Sequence, residues 1–88
     1  MGRGRVVTLV GKPGCHLCDD ARSLVSDVIE QLREGGTLVD LEELNILEND
    51  DLRQQYAEEI PVVLVDGAMH AFWRVDPDRL RRSLEEGQ

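Results

Sequence analysis

Aromatic side chains are nearly missing from this 88-residue chain, which has only Tyr56, Phe72 and Trp73. With so few rings, a surface that stacks successive bases of a nucleic acid is not expected. The core must instead rest on Leu, Val and Ile. Lysine occurs once, at Lys12, and the 10 basic residues face 18 acidic ones, for a net charge of −8. Phosphate backbones and anionic membranes bind through positive patches, so neither is an expected partner. The imbalance is local: Asp40, Glu42, Glu43, Glu48, Asp50, Asp51, Glu58 and Glu59 meet only Arg53 between positions 40 and 59. Such a run reads as a solvated face rather than a docking surface for a basic partner. Long apolar runs are missing too. Val6 to Val10, after Arg3 and Arg5, is too short for a membrane span or the core of a secretion signal, and a cytoplasmic setting is expected.

Cysteine is equally scarce, with Cys15 and Cys18 alone. In a reducing compartment the pair is not expected to serve as a structural disulfide. Zinc wants about four ligands, and only His16, wedged between the cysteines, and His70 remain to help. No metal and no tightly bound cofactor are therefore expected, and His70 reads as an ordinary strand residue. What is present, 41% hydrophobic and 32% charged residues, suits one folded domain over residues 1–88 and a monomer.

Apolar periodicity lays out the elements. Val6, Val7, Thr8, Leu9 and Val10 form a β-branched run that reads as a strand buried on both faces. From Cys15 onward Leu17, Ala21, Leu24, Val25, Val28, Ile29 and Leu32 make a helical stripe, stopped by Gly35 and Gly36. A second strand runs to about Ile46, with Thr37 to Asp40 readable as loop or strand. Asn49 or Asp50 caps a short helix carrying Leu52 and Tyr56, which must end before Ile60 because Pro61 disfavours helical dihedrals in the residue before it. Pro61 opens the next strand, and Val62–Val65, Asp66-Gly67 and Ala68–Trp73 read as a hairpin. Finally Asp76 caps a helix with Pro77 at its first position, Val75 packing on Leu80 as a staple. The order βαβαββα predicts an α/β fold with a mixed four-stranded sheet and three flanking helices.

The chemistry lies in Cys15-His16-Leu17-Cys18, placed where the first strand hands over to the first helix. At a helix N-terminus the unpaired N–H groups and the positive end of the dipole favour the thiolate of Cys15. Cys18, one turn on and partly buried by the apolar stripe, suits a resolving role. Lys12 supplies a nearby cation, Asp19 and Asp20 oppose it, and His16 is either an imidazolium partner or a tolerated first-turn residue.

Strand, Lys-Pro-Gly-Cys-His-Leu-Cys, helix and then Glu-Ile-Pro-Val-Val-Leu-Val-Asp-Gly together resemble the glutaredoxin-like branch of the thioredoxin superfamily over nearly the whole length. The resemblance implies a thioredoxin/glutaredoxin fold and a thiol–disulfide oxidoreductase with Cys15 and Cys18 catalytic. It also implies that Pro61 is a cis-proline, so that the backbone of Ile60 pairs with a bound thiol substrate. Substrates would be protein or small-molecule disulfides, with glutathione or a thioredoxin-reductase-like partner as reductant. Relatives that bind glutathione carry Pro and an aromatic between the cysteines, Thr-Val before the proline and Gly-Gly-Asp after the hairpin. Here His16 and Leu17, Glu59 and Ile60, and Arg74-Val75-Asp76 stand in those places, leaving Lys12 and Arg74 as candidate carboxylate contacts. The alternative is a thioredoxin fold used otherwise, as a binding module or as an iron–sulfur or persulfide carrier.

Overall fold

The computed structural model describes residues 4–86; Arg3 of the basic opening lies outside them. Strand β1 (Arg5–Gly11) leads to helix α1 (His16–Glu34), strand β2 (Val39–Asn45), a 3-10 turn (Ile46–Glu48) and helix α2 (Asp50–Tyr56). Strands β3 (Val62–Val65) and β4 (Ala68–Phe72) and helix α3 (Pro77–Glu86) follow. The four strands lie in the order β2-β1-β3-β4, β1 pairing parallel with β2 and antiparallel with β3, and β3 antiparallel with β4. This is the expected mixed sheet with three helices.

Alternation along β1 divides the core in two. Val7 and Leu9 point to one face, where Val25, Val28, Ile29 and Leu32 of α1 meet Leu80 and Leu84 of α3. Val10 points to the other, against Ile46, Val62, Leu52 and Tyr56. Leu80 is fully buried, and burying such a side chain contributes roughly 1.5–3 kcal/mol. Burial on both faces holds for Val7 to Val10 but fails at Val6, which is 39% exposed. Helix α2 has seven residues, about 10 Å at 1.5 Å per residue, and is too short to cover the start of β1. Thr8, the one buried polar residue of the described part, donates its hydroxyl to Glu42 Oε1 at 3.0 Å across the β1–β2 ladder.

Local chemistry sets the boundaries. Asn49 Oδ1 accepts the Leu52 N–H at 3.1 Å and so caps α2. Asp76 Oδ1 does the same for Asp78 and Arg79 at the start of α3. Asp66 and Gly67, with φ of 51° and 86°, turn β3 into β4. The second strand stops at Asn45, one residue short of the expected Ile46, because Asn45 Oδ1 captures the Leu47 N–H and starts the 3-10 turn. It starts at Val39, so Thr37 and Leu38 are loop. Pro61 lies just before β3 rather than in it. The hairpin strand ends at Phe72, since Trp73 turns away with φ 66°.

Candidate active site

The first turn of α1 sits over one end of the sheet. Gly11 is the last residue of β1, opposite Asn45 of β2. The β1–β3 register pairs Val10 with Val62, so one step further brings Gly11 opposite Pro61. Pro61 in turn accepts the Trp73 N–H at 2.8 Å. Asn45, Gly11, Pro61 and Trp73 therefore form a transverse row. Above it the chain passes through Lys12, Pro13 and Gly14 into the helix. The Ile60–Pro61 peptide bond is cis.

Cys15 is the N-cap of α1 rather than its first residue, with extended φ of −103° and ψ of 115°. Its sulfur accepts the backbone N–H of Cys18 at 3.2 Å, taking the capping place that a Ser or Asp oxygen fills elsewhere. The adjoining first-turn N–H groups of α1 also lack intrahelical partners. Cys15 is half-buried and Cys18 buried, at 1% exposure. Burial, first, and then the hydrogen bond and charge of Cys15 push the Cys18 thiol up to about 11; a backbone N–H of Lys12 acts the other way. A Cβ on Gly11 would stand 2.9 Å from Cys18 Sγ, so only glycine lets the strand pass beneath that sulfur.

The remaining candidates separate into two flanks. Lys12 and Pro13 join Cys18, Leu9, Arg22 and Glu43 around a small cavity of about 170 Å³ behind the buried sulfur. Arg74 lines a different groove, of about 360 Å³, with Leu17, Leu24, Trp73 and Val75. Lys12 and Arg74 thus line separate cavities. His16 is exposed in the first turn, and Ile60 packs part of its side chain against the Val10, Ile46 and Val62 cluster. Asp76 is engaged as the α3 cap.

His70 lies on β4, half-buried, with Nε2 lacking a partner, and burial and then the charge of Arg79 push its titration below 6.5. Among the described residues no group of three or more His, Cys, Asp or Glu side chains gathers into a metal-holding set.

Two features escape the periodicity of the sequence. Leu17 leaves the buried stripe and is 48% exposed, lining the groove with Trp73 and Val75. The acidic run is also less solitary than its composition implies: Arg22 and Arg33 of α1 reach Glu43 at 2.6 Å and Asp40 at 3.2 Å. Both pairs are exposed, and each stabilises by about 0–1 kcal/mol.

Residues 6–85 match the family described as Glutaredoxin-like domain (DUF836). The chain belongs to this family. This glutaredoxin-like chain is 30% identical over 78 residues to the uncharacterized protein Rv0508 of Mycobacterium tuberculosis, spanning 89% of this chain and 80% of that protein. The solution structure of Ne2328 from Nitrosomonas europaea superposes with a TM-score of 0.75 at 22% identity, over 96% of this chain and 95% of that one. Thioredoxin of Fasciola hepatica superposes with a TM-score of 0.66 at 14% identity, over 97% and 82%. These structures share the fold of the glutaredoxin-like chain, a thioredoxin fold. No helix of the described residues is long and apolar enough to cross a membrane.

Proposed function

We propose that this chain is a dithiol thiol–disulfide oxidoreductase working through Cys15 and Cys18. One observation carries the reading: Cys15 caps α1 through its sulfur while Cys18, one turn inside, is buried beneath it. The Cys15 thiolate attacks one sulfur of a substrate disulfide. A bond forms between Cys15 Sγ and that sulfur, the substrate S–S bond breaks, and the other half leaves as a thiolate that takes a proton. Cys18 then gives up its proton and attacks Cys15 Sγ. The Cys15–Cys18 bond forms, the mixed disulfide breaks, and the second substrate thiol is released. The substrate gains two electrons and the protein pair loses two.

Regeneration takes two electrons from glutathione or from a thioredoxin-reductase-like partner. The backbone of Ile60 would hold the substrate strand, with Pro61 beside it, and no resident cofactor is needed. The reading further places the protein in the cytoplasm, as a monomer acting on protein or small-molecule disulfides. The test is a pair of variants. Cys18→Ser accumulates a substrate mixed disulfide detectable by mass spectrometry, whereas Cys15→Ser accumulates none. Equal trapping by both would sink the assignment of roles.

A further inference from the structure

Most arginines of this chain are paired. Arg5, Arg22, Arg33, Arg53 and Arg81 each hold a carboxylate at 2.6 to 3.2 Å. Among the described residues Arg79 and Arg82 of α3 hold none, although the chain has 18 acidic residues for 10 basic ones. Both are exposed and stand three residues apart on one face of the helix, where like charges oppose each other. The fold gains nothing from that pairing on its own, and an anion placed between the two would reverse its sign.

The face they share borders the edge strand β4. Arg79, Arg82, Ser83 and His70 line one open concavity of about 320 Å³. His70 enters it through an irregularity of the sheet: Val63 and Leu64 of β3 pair with Ala71 and Met69, so His70 lies opposite no residue of its own. A bulge of this kind re-aims the side chain it carries. Burial, and then the charge of Arg79, oppose protonation of the ring, which is therefore neutral at pH 7. Its Nε2 is buried without a hydrogen-bond partner. In the tautomer with the proton on Nε2 that nitrogen needs an acceptor, and the arginines beside it are donors only.

We infer that this concavity binds a phosphate group, either free or as the head of a small phosphomonoester. Two guanidinium groups, a hydroxyl and an imidazole offer more donors than the two oxygens of a carboxylate take up, whereas the three terminal oxygens of a phosphomonoester match them. Charge sets the size of the ligand. Two arginines balance one dianion, and a chain of net charge −8 repels a longer polyanion beyond them. None of the four lining residues belongs to the cysteine site, so the inference stands apart from the oxidoreductase reading.

The test is an NMR titration of the reduced 88-residue chain at about pH 7.5 and constant ionic strength, following the amide signals of Arg79, Arg82 and Ser83 and the Cε1–H of His70. The probes are inorganic phosphate and glycerol 3-phosphate, with acetate as comparator. Phosphate should shift these signals saturably with a roughly millimolar dissociation constant, and acetate should bind roughly ten-fold more weakly. Arg79→Gln and Arg82→Gln should each weaken phosphate binding roughly ten-fold, the loss of one charge-assisted hydrogen-bonding group. Arg81→Gln removes the same charge from the same helix, but that guanidinium is held by Asp78 and Gln31, so affinity should stay within about two-fold. Tighter binding of glycerol 3-phosphate upholds the site with a monoester as its ligand, and equal binding upholds it with free phosphate. Shifts that never saturate, acetate binding as tightly as phosphate, an affinity untouched by Arg79→Gln and Arg82→Gln, or an equal loss in Arg81→Gln would each overturn the inference.

Discussion

Raising the pH should destabilise the reduced protein through Cys18. Its thiol is 1% exposed and titrates at about 11 in the fold, against 9.0 for a free cysteine. Between those values the unfolded chain has released the proton while the folded chain still holds it. The folded state then binds more protons than the unfolded one, and stability falls as pH rises. Each unit of difference is worth about 1.36 kcal/mol, so the full effect approaches about 3 kcal/mol, of which about 2 kcal/mol is lost between pH 9 and 11. A domain of this size commands only about 5–15 kcal/mol in all, so the effect is visible as a fall in Tm.

The assay is urea denaturation in reductant at pH 8, 9, 10 and 11, with Cys18→Ala alongside. Alanine leaves a cavity and lowers stability at every pH, but it removes the titrating group, and the other groups cancel in the difference. The gap between the two proteins should therefore shrink by about 2 kcal/mol over that window. A gap constant from pH 8 to 11 would refute the burial argument.

The same proton governs the second chemical step. Resolution of a trapped mixed disulfide by Cys18 should quicken with pH, up to about tenfold per unit below the Cys18 midpoint, as stopped-flow release of the substrate thiol would register; a flat profile would put some other step in control. His70 should titrate below 6.5 in an NMR pH series of its Cε1–H, since burial and the Arg79 charge oppose its protonation. The unfolded chain then takes up a proton first as pH falls through 6.5, and stability drops on the acid side. His70→Gln should flatten that drop, and a midpoint above 6.5 would contradict it. Gly11→Ala should cost about 1–3 kcal/mol in denaturation and slow resolution, because its methyl would lie 2.9 Å from Cys18 Sγ; an unchanged protein would mean the sulfur moves freely.

Elements governed by short-range chemistry were legible in the residues themselves. The Asp66-Gly67 turn, the Asp76 cap and the stripe of α1 from Ala21 to Leu32 follow from dihedral preference, side-chain hydrogen bonding and period. Placing the cysteines at the strand-to-helix junction followed likewise. Features set by what lies across space were not. The exposure of Leu17 depends on what lies across the groove from it, and that of Val6 on the length of α2, and neither is a property of the local pattern. Trp73 continued the strand by propensity, and its N–H still meets Pro61 across the β3–β4 ladder, but its backbone turns at φ 66° with its indole bound to Glu58 O, fifteen residues away. Gly11 ends β1, and its contact with Cys18 depends on how α1 returns over β1.

The asymmetry of the two cysteines follows from helix geometry rather than from special neighbours. A sulfur on the N-cap lies outside the helical cylinder and facing the unpaired N–H groups, and so gains hydrogen bonding while remaining reachable. Three residues later the chain has turned through nearly one helical repeat, which keeps the second sulfur on the same side but places it under the first turn, against β1. One position gains a hydrogen bond and access, and the other gains desolvation. The Cys18 thiol is accordingly held protonated by burial until Cys15 presents it with a disulfide, so the order of attack is written into the spacing of two cysteines and the glycine beneath them.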